Sequence, residues 1–513
     1  MRHCLPALLA VPALLAAQKP ATKPAAAAPG KGVAAITAQD VERRIAIIAD
    51  DSMHGRATPS PELNQVAAYV AAEFKRFGLK PAGDSGTYFQ HYAVEKVQTV
   101  AESSAVWTTG GPAARWTLGT DLIFLQGTPP AAELDGPAVI VTGTPVAGGT
   151  LDSAAVDGKV VVLPLDAQGR APAAGPLLQL KPAAVIAVGQ LPDSIWSFLA
   201  GRTAGAVIRN PEDQGSGPPV LLGRDTSFRA WLAQSGLNLD SLRATGGGEP
   251  VTALAVAGRT LHLTVRQRVL QRLTAPNVAG MLPGSDPKLK SEYVFFTGHM
   301  DHIGRPADGE GCQAQGADSI CNGADDDGSG TVAVLELAQA FTSSAEQPKR
   351  SLVFMTVSGE ERGLWGSGHF VDHPTVPLDS VVADLNNDMV GRNGDTIMVI
   401  GREHSDLATT LDTVAARHPE LHLELFGDLI PQEGLFFRSD HFNFARKGVP
   451  ILFFTSGLHR DYHQVTDSPE KILNDKEARY ARLVFYLGMQ VANSAQKPQW
   501  NPDSYRRIVK GEN

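Results

Sequence analysis

The chain has 513 residues, too many for one ordinary core, so two domains or one large domain with an insertion are expected. Hydrophobic residues at 43% and charged residues at 19% exclude an intrinsically disordered chain. Lys+Arg 45 against Asp+Glu 54 gives −9, which leaves no basic excess for a phosphate backbone and argues against nucleic acid as a partner.

The N-terminus reads as an export signal over residues 1–17. Arg2 and His3 precede an apolar stretch from Leu5 to Leu15, and Leu15-Ala16-Ala17 offers small residues for cleavage before Gln18. The stretch falls short of the roughly 20 residues a membrane span needs, and no later segment approaches one. Residues 18–35, rich in Ala, Pro and Lys at their start, read as a flexible lead-in. If the signal is removed, Cys4 goes with it and only Cys312 and Cys321 remain. An even pair close in sequence in an exported chain suggests a disulfide. Two thiols alone are too few for a structural zinc site, the competing reading.

Residues 36–119 read as the first part of a catalytic domain. Val66, Tyr69, Val70, Phe74 and Phe77 have helical spacing over Gln65–Phe77, and Gly78 supplies a stop. Residues 120–258 change texture: Ala, Val, Gly and Pro surround short strands at Ala138–Val141 and Val160–Leu163. This stretch has few His and no cluster of metal ligands, and reads as a small β-rich insert. Residues 259–495 alternate strands and helices. Strands are expected at Tyr293–Thr297, Leu352–Val357, Val381–Leu385, Ile397–Ile400 and Ile451–Thr455. A buried helix is expected over Val332–Phe341. A last helix begins at Asn474, with Glu477 as a capping-box partner, and residues 496–513 form a tail. Such alternation argues a mainly parallel sheet with helices on both faces.

Chemistry concentrates where ligands gather in open α/β sheets, beyond the carboxyl ends of strands. Apolar strands run into Gly298-His299-Met300-Asp301-His302, Ser358-Gly359-Glu360-Glu361 and Asn386-Asn387-Asp388. Gly323-Ala324-Asp325-Asp326-Asp327-Gly328-Ser329-Gly330 opens the buried helix, and Asp461-Tyr462-His463-Gln464 comes later. Carboxylates there would be costly to desolvate unless cations were bound. Dispersed His and carboxylates without clustered thiolates suit zinc or a similar divalent ion doing hydrolysis. The acidic loop lacks the Lys of a P-loop, and no Gly-x-Ser-x-Gly elbow marks a serine hydrolase. In an extended segment His299 and Asp301 share a face and His302 points away, so Asp301 can orient the His299 imidazole and His302 reads as structural. Glu360 and Glu361 also point apart, and periodicity does not say which would hold metal.

In order and content these motifs resemble the M28 zinc metallopeptidases. So do Arg438-Ser439-Asp440-His441, Gly448-Val449-Pro450, Ser456-Gly457-Leu458-His459, the stretch from Phe74 to Asp84 and Asn277-Val278-Ala279-Gly280, over about Ala35 to Asn493. The insert, with Asp157-Gly158-Lys159-Val160-Val161, is similar to a protease-associated domain. The resemblance implies an α/β/α sandwich around a mixed, mainly parallel sheet and two Zn²⁺ per chain. It implies that His299 and Asp388 hold one zinc, Glu361 and His463 the other, and Asp326 bridges them. It further implies that Glu360 is the general base, that Asp301 orients the ligand His, and that Tyr462 steadies the oxyanion. The expected activity is removal of N-terminal residues from peptides by an exported enzyme, periplasmic or secreted. A glutaminyl cyclase or carboxypeptidase of the same fold, with Arg438 serving a carboxylate, and a non-catalytic receptor or binding relative remain the alternatives.

Overall fold

The computed structural model describes residues 31–512, except 112, 126–131, 144–150, 167–168, 171–176, 178–179, 214–217 and 245–249. The expected signal and most of the lead-in therefore lie outside the described residues. Lys31–Ala35, counted with the lead-in, is not loose chain. Gly32–Ala35 is a 3₁₀ turn, Gly32 N donates to Ser343 Oγ at 3.1 Å, and Ala35 is buried.

The main sheet is mixed. Its order is Glu424–Phe426, Thr396–Ile400, Ile451–Thr455, Val381–Asn387, Tyr293–His299, Ser351–Val357, Gln267–Leu282, Phe89–Thr99 and Ala206–Arg209, with Lys80–Pro81 pairing off this path. The four central strands from Ile451–Thr455 to Ser351–Val357 run parallel, whereas Gln267–Leu282 and Phe89–Thr99 pair antiparallel. The central strands are mostly apolar because both faces are covered, with Asp384, Asn386 and Thr297 among their buried polar residues. Val294 and Phe296 join one apolar cluster while Phe295 between them joins another; Phe354 and Met355 divide in the same way. That alternation makes a three-layer α/β/α arrangement.

Each helix has local causes. Pro61–Phe77 starts four residues earlier than its apolar spacing indicates, because Ser60 Oγ accepts from Leu63 N at 2.9 Å and Pro61 takes the first turn. Gly78, at φ 85°, ends it. Gly330–Ser343 is buried from Gly330 to Phe341, as its all-round apolarity requires. Asn474–Asn493 forms as expected, but its capping box does not. Glu477 is fully buried and its oxygens have no hydrogen-bond partner among the described residues; burial, with Asp325 beside it, pushes its carboxyl well up. Nor is this the last helix: Asn501 caps Pro502–Val509, whose Ile508 packs on the apolar cluster around Phe295.

A second, eight-stranded sheet runs Arg115–Thr117, Ala105–Thr109, Thr252–Val265, Ala132–Thr142, Val160–Pro164, Ala184–Gly189, Val220–Arg224 and Leu122–Phe124. It reaches outside the 120–258 bounds at both ends, because Ala105–Thr109 and Arg115–Thr117 pair into it and Thr252–Val265 continues past 258. Trp116, stacked on Phe228 at 4.2 Å, anchors its own core. From within this stretch, Ala206–Arg209 leaves to pair with Phe89–Thr99 at the edge of the main sheet. Cys312 and Cys321 are joined by a disulfide, with Cα atoms 5.9 Å apart. Among the described residues no helix is long and apolar enough to cross a membrane.

Candidate active site

Parallel strands deliver the cleft. His299 ends Tyr293–His299, Glu360 and Glu361 follow Ser351–Val357, and Asp388 follows Val381–Asn387. Asp326 comes from the loop before Gly330–Ser343, and His463 from the segment after Ile451–Thr455.

The three consecutive aspartates divide into three tasks. Asp325 accepts from Gly391 N at 2.7 Å and Ser329 Oγ at 2.9 Å, and lies 3.1 Å from His459 Nε2. Asp327 accepts three backbone N–H groups, from His299 at 3.0 Å, Gly330 at 2.8 Å and Met389 at 3.0 Å. It pins the ends of two strands to the start of the buried helix. Gly330 cannot carry a side chain there, since a Cβ would stand 2.2 Å from the Asn387 carbonyl. Asp326 alone turns its carboxylate to the cleft. Its Oδ1 lies 3.3 Å from His299 Nε2 and its Oδ2 3.2 Å from His463 Nε2. Asp388 Oδ1 is 3.6 Å from His299 Nε2, and Glu361 Oε2 is 3.1 Å from His463 Nε2. The five residues thus meet as two donor pairs, one on each oxygen of Asp326.

Hydrogen bonds do not satisfy this convergence: Asp326 Oδ2 and His463 Nε2 are buried without such a partner among the described residues. Buried polar atoms in native proteins are ordinarily paired. Two imidazoles and three carboxylates with orphaned facing atoms are a donor set that fits divalent cations, zinc foremost. Electrostatics agree. Burial alone would lower the His299 imidazolium, but Glu360, Asp327 and Asp388 outweigh it and hold it well above the usual range. Burial opposes the His463 imidazolium too, yet Asp326 and Glu361 bring it to about 10. A cation would replace these protons.

The adjacent glutamates differ sharply. Burial pushes the Glu360 carboxyl well up, with His299 opposing and Glu361 adding to it. Burial and the Asp326 charge work against ionised Glu361, but the hydrogen bond from His302 and the His463 imidazole 3.1 Å away overcome them and bring it to about 2. Environments that drive two carboxyls apart favour different tasks for them.

Two sequence expectations need correction. His302 does not point away: its Nδ1 is 2.7 Å from Glu361 Oε1. The strand ends at His299, so two-residue alternation no longer governs the residues after it. The Asp301 carboxylate lies 3.7 Å from His299 Nδ1, and the nearer acceptor is the Asp301 carbonyl at 3.2 Å. That carboxylate accepts instead from Thr58 Oγ1 at 2.8 Å and Glu360 N at 3.4 Å, fixing the backbone that presents Glu360. Tyr462 stacks on His463 at 3.9 Å, and its oxygen accepts from Arg438 at 3.2 Å. Burial, reinforced by Asp326 and Glu361, raises the Tyr462 hydroxyl far above the usual range, so it keeps its proton. Arg438 also pairs with Glu433 at 3.0 Å. The pocket lined by His299, Asp326, Glu360 and Asp388 also takes in the apolar side chains of Met389, Leu435, Phe453 and Leu458.

Three supporting residues gave no sequence signal. Asp467 accepts from the backbone N–H of Asp325 at 3.0 Å and of Asp326 at 3.1 Å. Arg56 donates to the carbonyls of Met300 (2.8 Å), Gly323 (2.9 Å), Ile48 (3.3 Å) and Asn322. Thr58 holds Asp301. Each is a lone residue whose partners are distant in sequence and are mostly backbone atoms.

Residues 277–488 match peptidase family M28. The chain is 27% identical over 237 residues to a probable leucine aminopeptidase of Arthroderma otae, covering 44% of this chain and 60% of the relative. It is 31% identical over 289 residues to leupeptin-inactivating enzyme 1 of Streptomyces exfoliatus, covering 55% and 58%. Aminopeptidase YwaD of Bacillus subtilis is 24% identical over 243 residues, covering 46% and 49%. The chain thus spans about three fifths of the first two and half of the third. A solved aminopeptidase from Aneurinibacillus sp. strain AM-1 aligns at a TM-score of 0.48 and 20% identity, covering 90% of this chain and 95% of that one.

Proposed function

We propose that this chain, whose residues 277–488 match peptidase family M28, is a zinc-dependent metallo-aminopeptidase that releases N-terminal residues from peptides. The observation that carries this reading is the pairing of His299 and Asp388 on one oxygen of Asp326, and of His463 and Glu361 on the other. His299 with Asp388 would hold one zinc, Glu361 with His463 a second, and Asp326 would touch both. Two such ions supply a nucleophilic water at neutral pH and polarise a peptide carbonyl.

This chain's own residues do the rest. Glu360 stands at the rim of the His299 pair with a carboxyl that accepts a proton readily. It takes the proton of the attacking water and passes it to the leaving amine. Tyr462, kept protonated and held by Arg438, donates a hydrogen bond to the developing oxyanion. Asp301, through the Glu360 amide, positions the base. A free α-amino group is drawn to the carboxylates of Glu360 and Asp388, and the apolar side chains of Met389, Leu435, Phe453 and Leu458 in the same pocket flank the first side chain. The resemblance of the insert to a protease-associated domain supports a role in filtering substrates. The signal-like residues 1–17 and the disulfide support export, to periplasm or medium.

A panel of aminoacyl amides beside N-blocked analogues tests the reading. The free-amine substrates are expected to be hydrolysed in a chelator-sensitive manner, and the blocked ones hardly at all. Equal turnover of both sets would remove the exopeptidase assignment.

A further inference from the structure

Away from the cleft, three more metal-ligating side chains meet where the second sheet's segment touches the main body. Glu212 follows the edge strand Ala206–Arg209, His369 lies on the helix Trp365–Asp372, and His373 caps that helix. His369 Nδ1 is 2.9 Å from Glu212 Oε2, and His373 Nε2 is 3.6 Å from Glu212 Oε1. One donor atom from each lies within 4.8 Å of the other two. Spaced four apart, the two imidazoles share a helix face, with ring centroids 4.6 Å apart.

A plain surface ion pair explains this less well. A hydrogen bond accounts for only one of the two contacts, His369 Nδ1 to Glu212 Oε2 at 2.9 Å, whereas His373 Nε2 stands 3.6 Å from Oε1, beyond hydrogen-bond distance. A single divalent ion satisfies all three donors at once. The His373 side chain, 57% exposed, leaves the remaining coordination position to water. The contact is also anchored independently of the cluster. Trp365 Nε1 donates to Asp213 Oδ2 at 3.3 Å, and the preceding strand pairs with Phe89–Thr99.

We propose that Glu212, His369 and His373 form a separate transition-metal site, taking zinc or a similar borderline cation, that staples residues 210–213 onto the helix Trp365–Asp372. That helix follows directly on the Glu360–Glu361 turn, and its first amides, of Trp365 and Gly366, bond back to the carbonyls of Gly359 and Ser358, each at 2.9 Å. Metal bound here therefore steadies the segment presenting the proposed base.

The test is zinc per chain by elemental analysis after dialysis against fixed free zinc, for wild type, His373→Ala and Glu212→Gln. Each variant is expected to hold one equivalent fewer than wild type while its peptidase activity persists. In wild type alone, zinc is expected to slow hydrogen exchange in residues 206–213. Equal zinc content in all three proteins, or exchange there indifferent to zinc, overturns the proposal. Neither readout depends on how many ions the cleft holds, so the two sites stand or fall separately.

Discussion

Glu360→Gln is expected to lower kcat by about 10²–10⁴-fold, the range for loss of a positioned general base. The substitution keeps shape and hydrogen-bonding capacity but removes the proton acceptor. Because Glu360 stands 4.0 Å from His299 Nε2, outside the two tight donor pairs, zinc content should not change. KM should move little, since the lost interaction belongs to the transition state rather than to substrate binding. Steady-state kinetics with elemental analysis on one preparation checks both halves. Glu361→Gln supplies the contrast: it removes a carboxylate within 3.1 Å of His463 Nε2, and so should lose metal first. Turnover of Glu360→Gln at the wild-type rate, or its loss of zinc, would reverse the division of labour between the adjacent glutamates.

Arg56→Met is expected to destabilise the fold by on the order of 3 kcal/mol or more. The guanidinium is fully buried and donates to four carbonyls from three separate segments. Methionine fills much of the volume but leaves those carbonyls unpaired in a low-dielectric interior. Arg56 also adopts a left-handed backbone at φ 52°, which these side-chain bonds help to hold. Its charge further offsets Asp301, Asp326 and Asp327. Urea denaturation gives the answer directly: an unchanged midpoint would mean that the loops around Gly323 hold their shape without it.

What the sequence made legible, and what it hid, follows physical lines. The strand ends carrying His299, Glu360–Glu361 and Asp388, and the acidic loop around Asp326, stood out because each acid or imidazole follows an apolar strand or opens a buried helix, where a polar group needs a reason; which of them would hold metal came only from the family resemblance. The central strands were readable because burial on both faces leaves runs dominated by Val, Ile, Leu and Phe. His302 was misplaced because alternation was carried past the end of its strand. Glu477 has the spacing of a cap, yet the tertiary environment buries it instead. Pro502–Val509 was missed because a short helix, docked through Ile508 and capped by Asn501, has little apolar pattern of its own. Arg56 and Asp467 act on backbone atoms distant in the chain, which leave no trace in residue spacing. Glu212, the proposed third ligand, left no trace either, because its side-chain partners His369 and His373 lie more than 150 residues on.

Anomalous scattering at the zinc absorption edge, from crystals of the zinc-loaded protein, tests the cleft most directly. Two peaks flanking the Asp326 carboxylate are expected, one between His299 and Asp388 and the other between Glu361 and His463. A single peak in the cleft, or none, would contradict the account.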